Sequence, residues 1–548
     1  MIIGERSAVN LKRIKISVVL LICSLIVLTM PLTACSEEED GADHDFYVTV
    51  SENPQNLDPQ IAEDLSSIFV IRNIYSSLME LDSNGLAVCS AAQSYRVSDD
   101  GLTYEFTLRD GLCWYTDDGE IPLTADDYVY AFRRIYDSTT GSPHTGIFSC
   151  IKNSLRVLSG ELPPEKLGVY AADERTVVFE LENTNCDFLK LMTHWGSMPC
   201  CEELFLKTNG RYGLSAENTY SCGAFRLTVW NYDPYWNDNY LTLERISANS
   251  VEGFRTYPSS VTIGITDDPE GYESKNGVEI DAYTAASLDS IEKKELNKAS
   301  VNEYTAETIC LIASSNSALF SDENGMKAVA SALNRDISQE LAGNLTYAGS
   351  IIPPYATIMN TAFRNLSPDV RVSFERSPEK YWENYMENNP STDLYGFTLL
   401  VSDDVADSGI ALYAAQQLNE VLGIYCTVES KTENDYQSAL GGDEYDFVIA
   451  SIKPQINLTE EYFSEINDII GWNEIYPETA ELLLSAESAA NISDKKDIIR
   501  AAETEYILDG YAVPLCYGSE YLIQREGRED IYYDPFTESM YFKYAKYF

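Results

Sequence analysis

The sequence predicts an α/β protein built of two or three lobes. The chain has 548 residues, more than one hydrophobic core organises, since single cores stop growing near about 250–300 residues. Its apolar share of 45% and charged share of 23% are those of an ordinary globular protein. Strand-like and helical patterns alternate through its second half, with a complete β-α-β unit between residues 397 and 450.

The first element is a leader. Lys12-Arg13-Ile14-Lys15 precedes an apolar run from Ile16 to Leu28, and Leu32-Thr33-Ala34-Cys35 follows. A basic head, a short apolar span and small residues before a cut site predict an export signal over 1–34. The 13-residue run falls short of the roughly 20 residues that a membrane-spanning helix needs. Leu-Thr-Ala-Cys resembles a bacterial lipobox, which implies cleavage before Cys35 and a diacylglyceryl thioether on its sulfur. Two acyl chains hold stably where one does not, since each buried methylene adds about 0.8 kcal/mol. The mature chain is expected on the outer face of the cytoplasmic membrane, tethered by lipid. Residues 35–44, Cys-Ser-Glu-Glu-Glu-Asp-Gly-Ala-Asp-His, are too acidic to pack and are expected to be a spacer.

Phe46 to Val50 then alternates like a strand, and Asn53-Pro54 and Asp58-Pro59 mark turns. Leu65, Ile68, Phe69, Ile71, Ile74, Tyr75 and Leu78 have helical spacing over 64–80. Asp100-Gly101 joins Tyr95–Val97 to Tyr104–Leu108 as a hairpin. Thr124 caps a helix through Arg134, with Asp126 and Asp127 in its electropositive first turn. Thr176 to Leu181 is a strand, and Asn324 to Leu341 an amphipathic helix. Phe397–Val401, the helix Ile410–Leu422 ending at Gly423, Tyr425–Val428 and Tyr445–Ala450 give the β-α-β unit, with parallel strands and a right-handed crossover.

Charge excludes one class of function. The formal net charge is −49, and the leader is itself basic, so phosphate backbones are repelled and nucleic acid is no partner. The acidity keeps an exported protein soluble, and a preference for cationic ligands is the alternative reading. Twelve cysteines include Cys23 in the leader and Cys35. The other ten form no CxxC pair, and with only three histidines no zinc-ligand spacing arises. No metal or other cofactor is expected, and one or two disulfides are possible without a pairing the sequence can assign.

Residues 95–134, YRVSDDGLTYEFTLRDGLCWYTDDGEIPLTADDYVYAFRR, carry a resemblance. They are similar to the signature of the bacterial extracellular solute-binding proteins of family 5, at Asp100, Gly101, Tyr104, Phe106, Leu108, Arg109, Gly111, Trp114, Gly119, Thr124, Ala125 and Asp127. Further likenesses are Leu57-Asp58-Pro59, Ser221 to Phe225, Asp233-Pro234-Tyr235-Trp236, Ala332-Leu333-Asn334-Arg335, Ile352-Pro353-Pro354 and Ala512-Val513-Pro514-Leu515. The feature order, with Thr140-Gly141-Ser142-Pro143, resembles the oligopeptide-binding branch. The resemblance implies a periplasmic-binding-protein-like type II fold, two α/β lobes joined by a hinge with an extra domain in the first. It divides the chain into 45–80 (first lobe), 81–195 (extra domain), 196–300 (first lobe), 301–507 (second lobe) and 508–548 (return to the first).

The same resemblance implies the receptor of an ABC importer, a monomer that grips an extended peptide by its backbone and delivers it to membrane permease subunits. In that branch an aspartate pairs with the peptide's amino group. Its run falls here on Ser451-Ile452-Lys453-Pro454-Gln455, so Gln455 stands in the aspartate's place, beside a repelling Lys453. Glu63, Asp64 and Leu65, after Leu57-Asp58-Pro59, and Tyr517, after Val513-Pro514, are the other implied pocket residues. Two other readings are a peptide or pheromone sensor on the same fold and a secreted hydrolase. The hydrolase reading lacks Gly-x-Ser-x-Gly and His-Glu-x-x-His, and few histidines are present to act as a base.

Overall fold

The computed structural model describes residues 44–548 except 117, 236–238, 247–255, 290, 316, 334–344, 371–376, 394, 407–408, 443–444 and 471–476. The leader, Cys35, Trp236, Asn334 and Arg335 therefore lie outside the described residues, as does residue 341, the expected end of the helix from Asn324. His44, expected at the end of the spacer, stacks on Tyr547 at 4.2 Å and reaches Asp281 at 3.1 Å.

The first lobe begins with strand β1 (Asp45–Val50) and helix α1 (Leu65–Ile74). Asp64 caps α1 by accepting from the Ser67 N–H. The helix stops well before residue 80, because the Ile74 carbonyl turns to accept the Cys222 and Gly223 N–H groups instead. The extra domain follows. Strands β2 (Ala92–Val97) and β3 (Thr103–Leu108) form the expected hairpin, with Gly101 at φ +71° in its turn. Helix α2 (Ala125–Ile135) starts after the expected cap, Thr124, and has in addition a capping box, the Asp127 carboxylate accepting from the Thr124 N–H at 2.8 Å. Asp127 also accepts from Trp114 Nε1 at 3.2 Å. Strands β4 (Val169–Asp173) and β5 (Thr176–Glu180) complete a sheet of order β2-β3-β5-β4. Arg134, at the end of α2, makes a buried bidentate pair with Asp58 at 2.9 and 2.5 Å. The motif residues thus lock the extra domain to the first lobe.

Strands β6 (Phe225–Asn231), β7 (Tyr240–Arg245) and β8 (Ser260–Ile265) return to the first lobe and form a sheet of order β1-β8-β7-β6. A larger sheet then carries β9 (Ala282–Ala285) and β10 (Ser300–Ala313). Helix α3 (Glu323–Ala332) follows. The β-α-β unit is β11 (Phe397–Ser402), α4 (Ile410–Leu422) and β12 (Cys426–Lys431), with the strands parallel and Gly423 closing α4 at φ 72°. Strand β13 (Phe447–Ile452) starts two residues later than the expected Tyr445, since Asp446 is tied to the Thr398 backbone at 2.9 and 3.0 Å. After helices α5 (Glu461–Ile470) and α6 (Ile492–Leu508) comes the 13-residue strand β14 (Ala512–Gln524). The main path of the sheet is β9-β14-β10-β13-β11-β12. The chain closes with a hairpin of β15 (Tyr532–Asp534) and β16 (Ser539–Tyr541).

Among the described residues two large hydrophobic cores result, beside a small cluster of Ala131, Cys200 and Tyr212, and β10 and β14 belong to both large cores. Tyr304 packs in the first core and Ala306 and Ile309 to Ala313 in the second. Leu515 and Cys516 pack in the second core and Leu522 in the first. The β10–β14 register shifts between Tyr304 and Glu307, where the strands pass from lobe to lobe. No disulfide joins the ten cysteines Cys89, Cys113, Cys150, Cys186, Cys200, Cys201, Cys222, Cys310, Cys426 and Cys516. Among the described residues no helix is long and apolar enough to cross a membrane.

Candidate ligand-binding cleft

The cleft floor is set where β10 and β14 pass between the lobes and β13 ends beside them. Antiparallel pairing puts Thr308 beside Ile452 and Tyr517, turning those three toward the second core. Glu307 points the other way. Its carboxylate lies over Gly518, where a Cβ would collide with it, and accepts from the Ser451 hydroxyl. One strand turn on, Glu520 accepts from the Tyr533 hydroxyl at 2.6 Å. Tyr533 and Tyr355 stand edge-on to Tyr304, with centroids 5.2 and 5.4 Å from it.

Lys453 follows directly on β13. Its ammonium reaches the β15–β16 hairpin, which packs in both cores, and meets Glu538 at 2.9 Å. Glu538 sits in the β15–β16 turn at φ 50°. Burial depresses the Lys453 ammonium, but Glu538, Glu520 and Glu307 outweigh it and its pKa moves up. On α5, burial pushes Glu465 up to about 8 against the pull of the Lys453 N–H. Burial, with Glu460 and Glu487, pushes Glu461 up to about 7.

Beside the cleft a second set of charges bridges the lobes and is shut off from water. Lys495 Nζ lies 2.6 Å from both Asp187 and Glu460. Lys190, one turn along from Asp187, donates to the Thr357 and Asn457 carbonyls at 2.7 and 2.8 Å. All four charged side chains are at most 3% exposed. Phe188 and Leu191 anchor one side in the first core, and Ile499 and Tyr462 the other in the second. Burial raises the Asp187 pKa, but Lys495 and Lys190 reverse it, so the net shift is downward and the carboxylate stays charged.

The implied pocket residues divide. Lys453 lies in the cleft, and Gln455 is exposed two residues beyond it. Ile452 and Tyr517 are core residues of the second lobe, and Tyr517 donates to the Ile352 carbonyl. Glu63 and Leu65 are exposed and Asp64 caps α1. Among the described residues no hydrogen bond or ion pair joins these three to the Lys453 group. Sequence reasoning missed Glu307, Glu520 and Glu538, and the buried Asp187, Lys190, Glu460 and Lys495. Lys190 alone left a trace, a lysine between Leu189 and Leu191 with an acid three residues before it.

Two lobes, two shared strands and a charged cleft between them define a hinged ligand-binding protein. Residues 88–469 match the middle region of the bacterial extracellular solute-binding proteins, family 5, and the chain belongs to that family. It is 23% identical to the oligopeptide-binding protein OppA of Bacillus subtilis (strain 168), over 95% of this chain and 98% of that protein. It is likewise 23% identical to the dipeptide-binding protein DppE of that strain, over 89% of this chain and 90% of the relative. The structure resembles Haemophilus influenzae OppA in complex with the peptide RPPGFSPFR, with a TM-score of 0.70 at 20% identity, covering 93% and 99% of the two chains. These structural likenesses bear out the type II periplasmic-binding fold.

Proposed function

We propose that this chain is the lipid-anchored receptor of an ABC importer, which closes two lobes on a peptide and passes it to membrane permease subunits. The observation that carries this reading is the pair of strands, β10 and β14, that serve both cores and so make a hinge. The names of the relatives support a peptide as ligand. The peptide is held chiefly by backbone hydrogen bonds, without an ion pair to its amino terminus, since Gln455 is neutral and Lys453 repels an ammonium. The protein works as a monomer and by binding alone. Two of its three histidines are buried, His194 stacked on Trp195 at 3.7 Å, which leaves little to serve as a general base.

The test is calorimetric titration with peptides of two to ten residues, paired with small-angle scattering. A bound peptide should lower the radius of gyration and stabilise the fold by about 2.7 kcal/mol at a hundredfold excess over Kd. Binding without compaction refutes the hinge, and no binding at any length refutes the peptide. Cys35→Ser should release the protein from the membrane fraction or leave the precursor uncut. Normal processing with retention in that variant refutes the anchor.

A further inference from the structure

We propose that Lys453 is a specificity determinant of the cleft. Its ammonium fills a place between Glu538, Glu520 and Glu307 that a ligand's ammonium would otherwise take, so the closed protein selects ligands without a charged amine there. This rests on the reading of the interlobe cleft as the ligand site.

The carboxylates are fixed in place by the fold. Glu307 receives the Ser451 hydroxyl and is seated over Gly518, where a Cβ would have to push its carboxylate aside. Glu520 receives the Tyr533 hydroxyl at 2.6 Å. Glu538 is presented by the tight β15–β16 turn. These three groups come from three elements, and Lys453 meets Glu538 at 2.9 Å, with Glu520 and Glu307 near enough for their charges to act on its ammonium. Without it, like charges would be gathered in a half-buried space, an arrangement that draws in a cation.

The Lys453 ammonium also sits where the lobes meet. Lys453 follows β13 in the second lobe, and Glu538 lies in a hairpin whose Tyr533 and Met540 pack in the first core and whose Phe536 packs in the second. The pair therefore lies at the seam between the two cores. A partly exposed ion pair of this kind contributes little to stability. Its effect is on what else fits. An incoming ammonium must displace a tethered one that is always present at high local concentration. A neutral or acylated terminus meets no such competitor.

The experiment compares the full-length mature protein with its Lys453→Met variant, and with Lys453→Gln should the first not fold. Pentaalanine and N-acetyl-pentaalanine are titrated against each, and melting is followed with n-butylammonium or, as the uncharged control, 1-butanol. The wild type should bind the acetylated peptide at least as tightly as the free one. Removing Lys453 should move the preference toward the free amine by tenfold or more. Butylammonium should raise the variant's melting temperature and leave the wild type unmoved. An unchanged preference, or an ammonium effect no larger in the variant, overturns the proposal. If neither protein binds either peptide, the peptide reading of the function fails, and the butylammonium arm decides on Lys453 by itself.

Discussion

Lys495→Met should be among the most damaging single changes available to this protein. Methionine keeps the length and most of the volume of lysine but removes the charge. Lys495 is fully buried, and both of its partners, at 2.6 Å, are nearly so. After the change Asp187 keeps Lys190 at 3.7 Å and the Met359 N–H at 2.5 Å. Glu460 keeps the Thr459 hydroxyl at 3.2 Å and is left a buried anion without a cation in hydrogen-bond reach. Breaking a buried pair on one side costs about 3–5 kcal/mol, because the remaining charge is stranded. That is a large part of the roughly 5–15 kcal/mol that holds a domain folded. Urea unfolding followed by tryptophan fluorescence should show the midpoint falling by that equivalent. Adding Glu460→Gln should recover part of the loss, since an amide tolerates the site without a cation. The network joins the lobes, so scattering should also show a more open unliganded variant. A loss below about 1 kcal/mol, or no recovery in the double variant, would refute a buried charge-paired network.

Acidity should weaken the fold through its buried histidines. Burial lowers the His144 pKa to about 4 and also lowers that of His194 well below its ordinary value, with His144 and Arg72 adding to the latter. A depressed histidine contributes fully above its unfolded value near 6.5, and the contribution fades as pH falls toward the folded value. Between pH 7 and pH 5 the wild type should lose about 2 kcal/mol relative to His144→Phe. Equal pH dependence in the two proteins, read by urea midpoints, excludes that cost. Glu465 should act in the opposite sense. Its folded pKa is raised to about 8, so its contribution is full below about 4.5 and is lost as pH rises toward 8. Glu465→Gln should therefore gain on the wild type between pH 5 and pH 8, and a constant difference would place that carboxyl in water.

Local chemistry was legible in the sequence and long-range placement was not. Helix α4 runs from Ile410 to Leu422 as its periodicity and Gly423 predict. The β2–β3 turn at Asp100-Gly101 and the α2 cap at Thr124 depend on neighbours a few residues away, which a window of sequence contains. Strand β10 went unread because its pattern changes midway. Ser300 to Tyr304 serves the surface and edge of one lobe, and Thr308 to Ala313 lies wholly inside the other. Burial likewise separates Lys495 from its neighbour Lys496, whose side chain is 28% exposed. Nothing in Asp494-Lys495-Lys496-Asp497 tells the two apart, since the partners of Lys495 arrive from residues 187 and 460. Lys453 was marked by the family likeness. Its partner Glu538 was not, for a turn 85 residues away carries no signal of what it faces.

The way β10 and β14 serve both lobes also bears on how the chain is made. The second lobe enters through β10 and leaves through its neighbour β14, so its two ends lie side by side in one sheet. Its sheet is complete once β14 has emerged. The first lobe, begun at Asp45, still lacks Ile531, Tyr533, Phe542 and Ala545 from its core at that moment. A chain appearing from its amino terminus therefore finishes its second lobe before its first, reversing the usual order. Until the last residues arrive, the apolar face that Phe46 and Phe69 present to Phe542 stays uncovered. Truncation of even the final ten residues should thus be felt at the opposite end of the sequence, in the packing of the first strand and first helix.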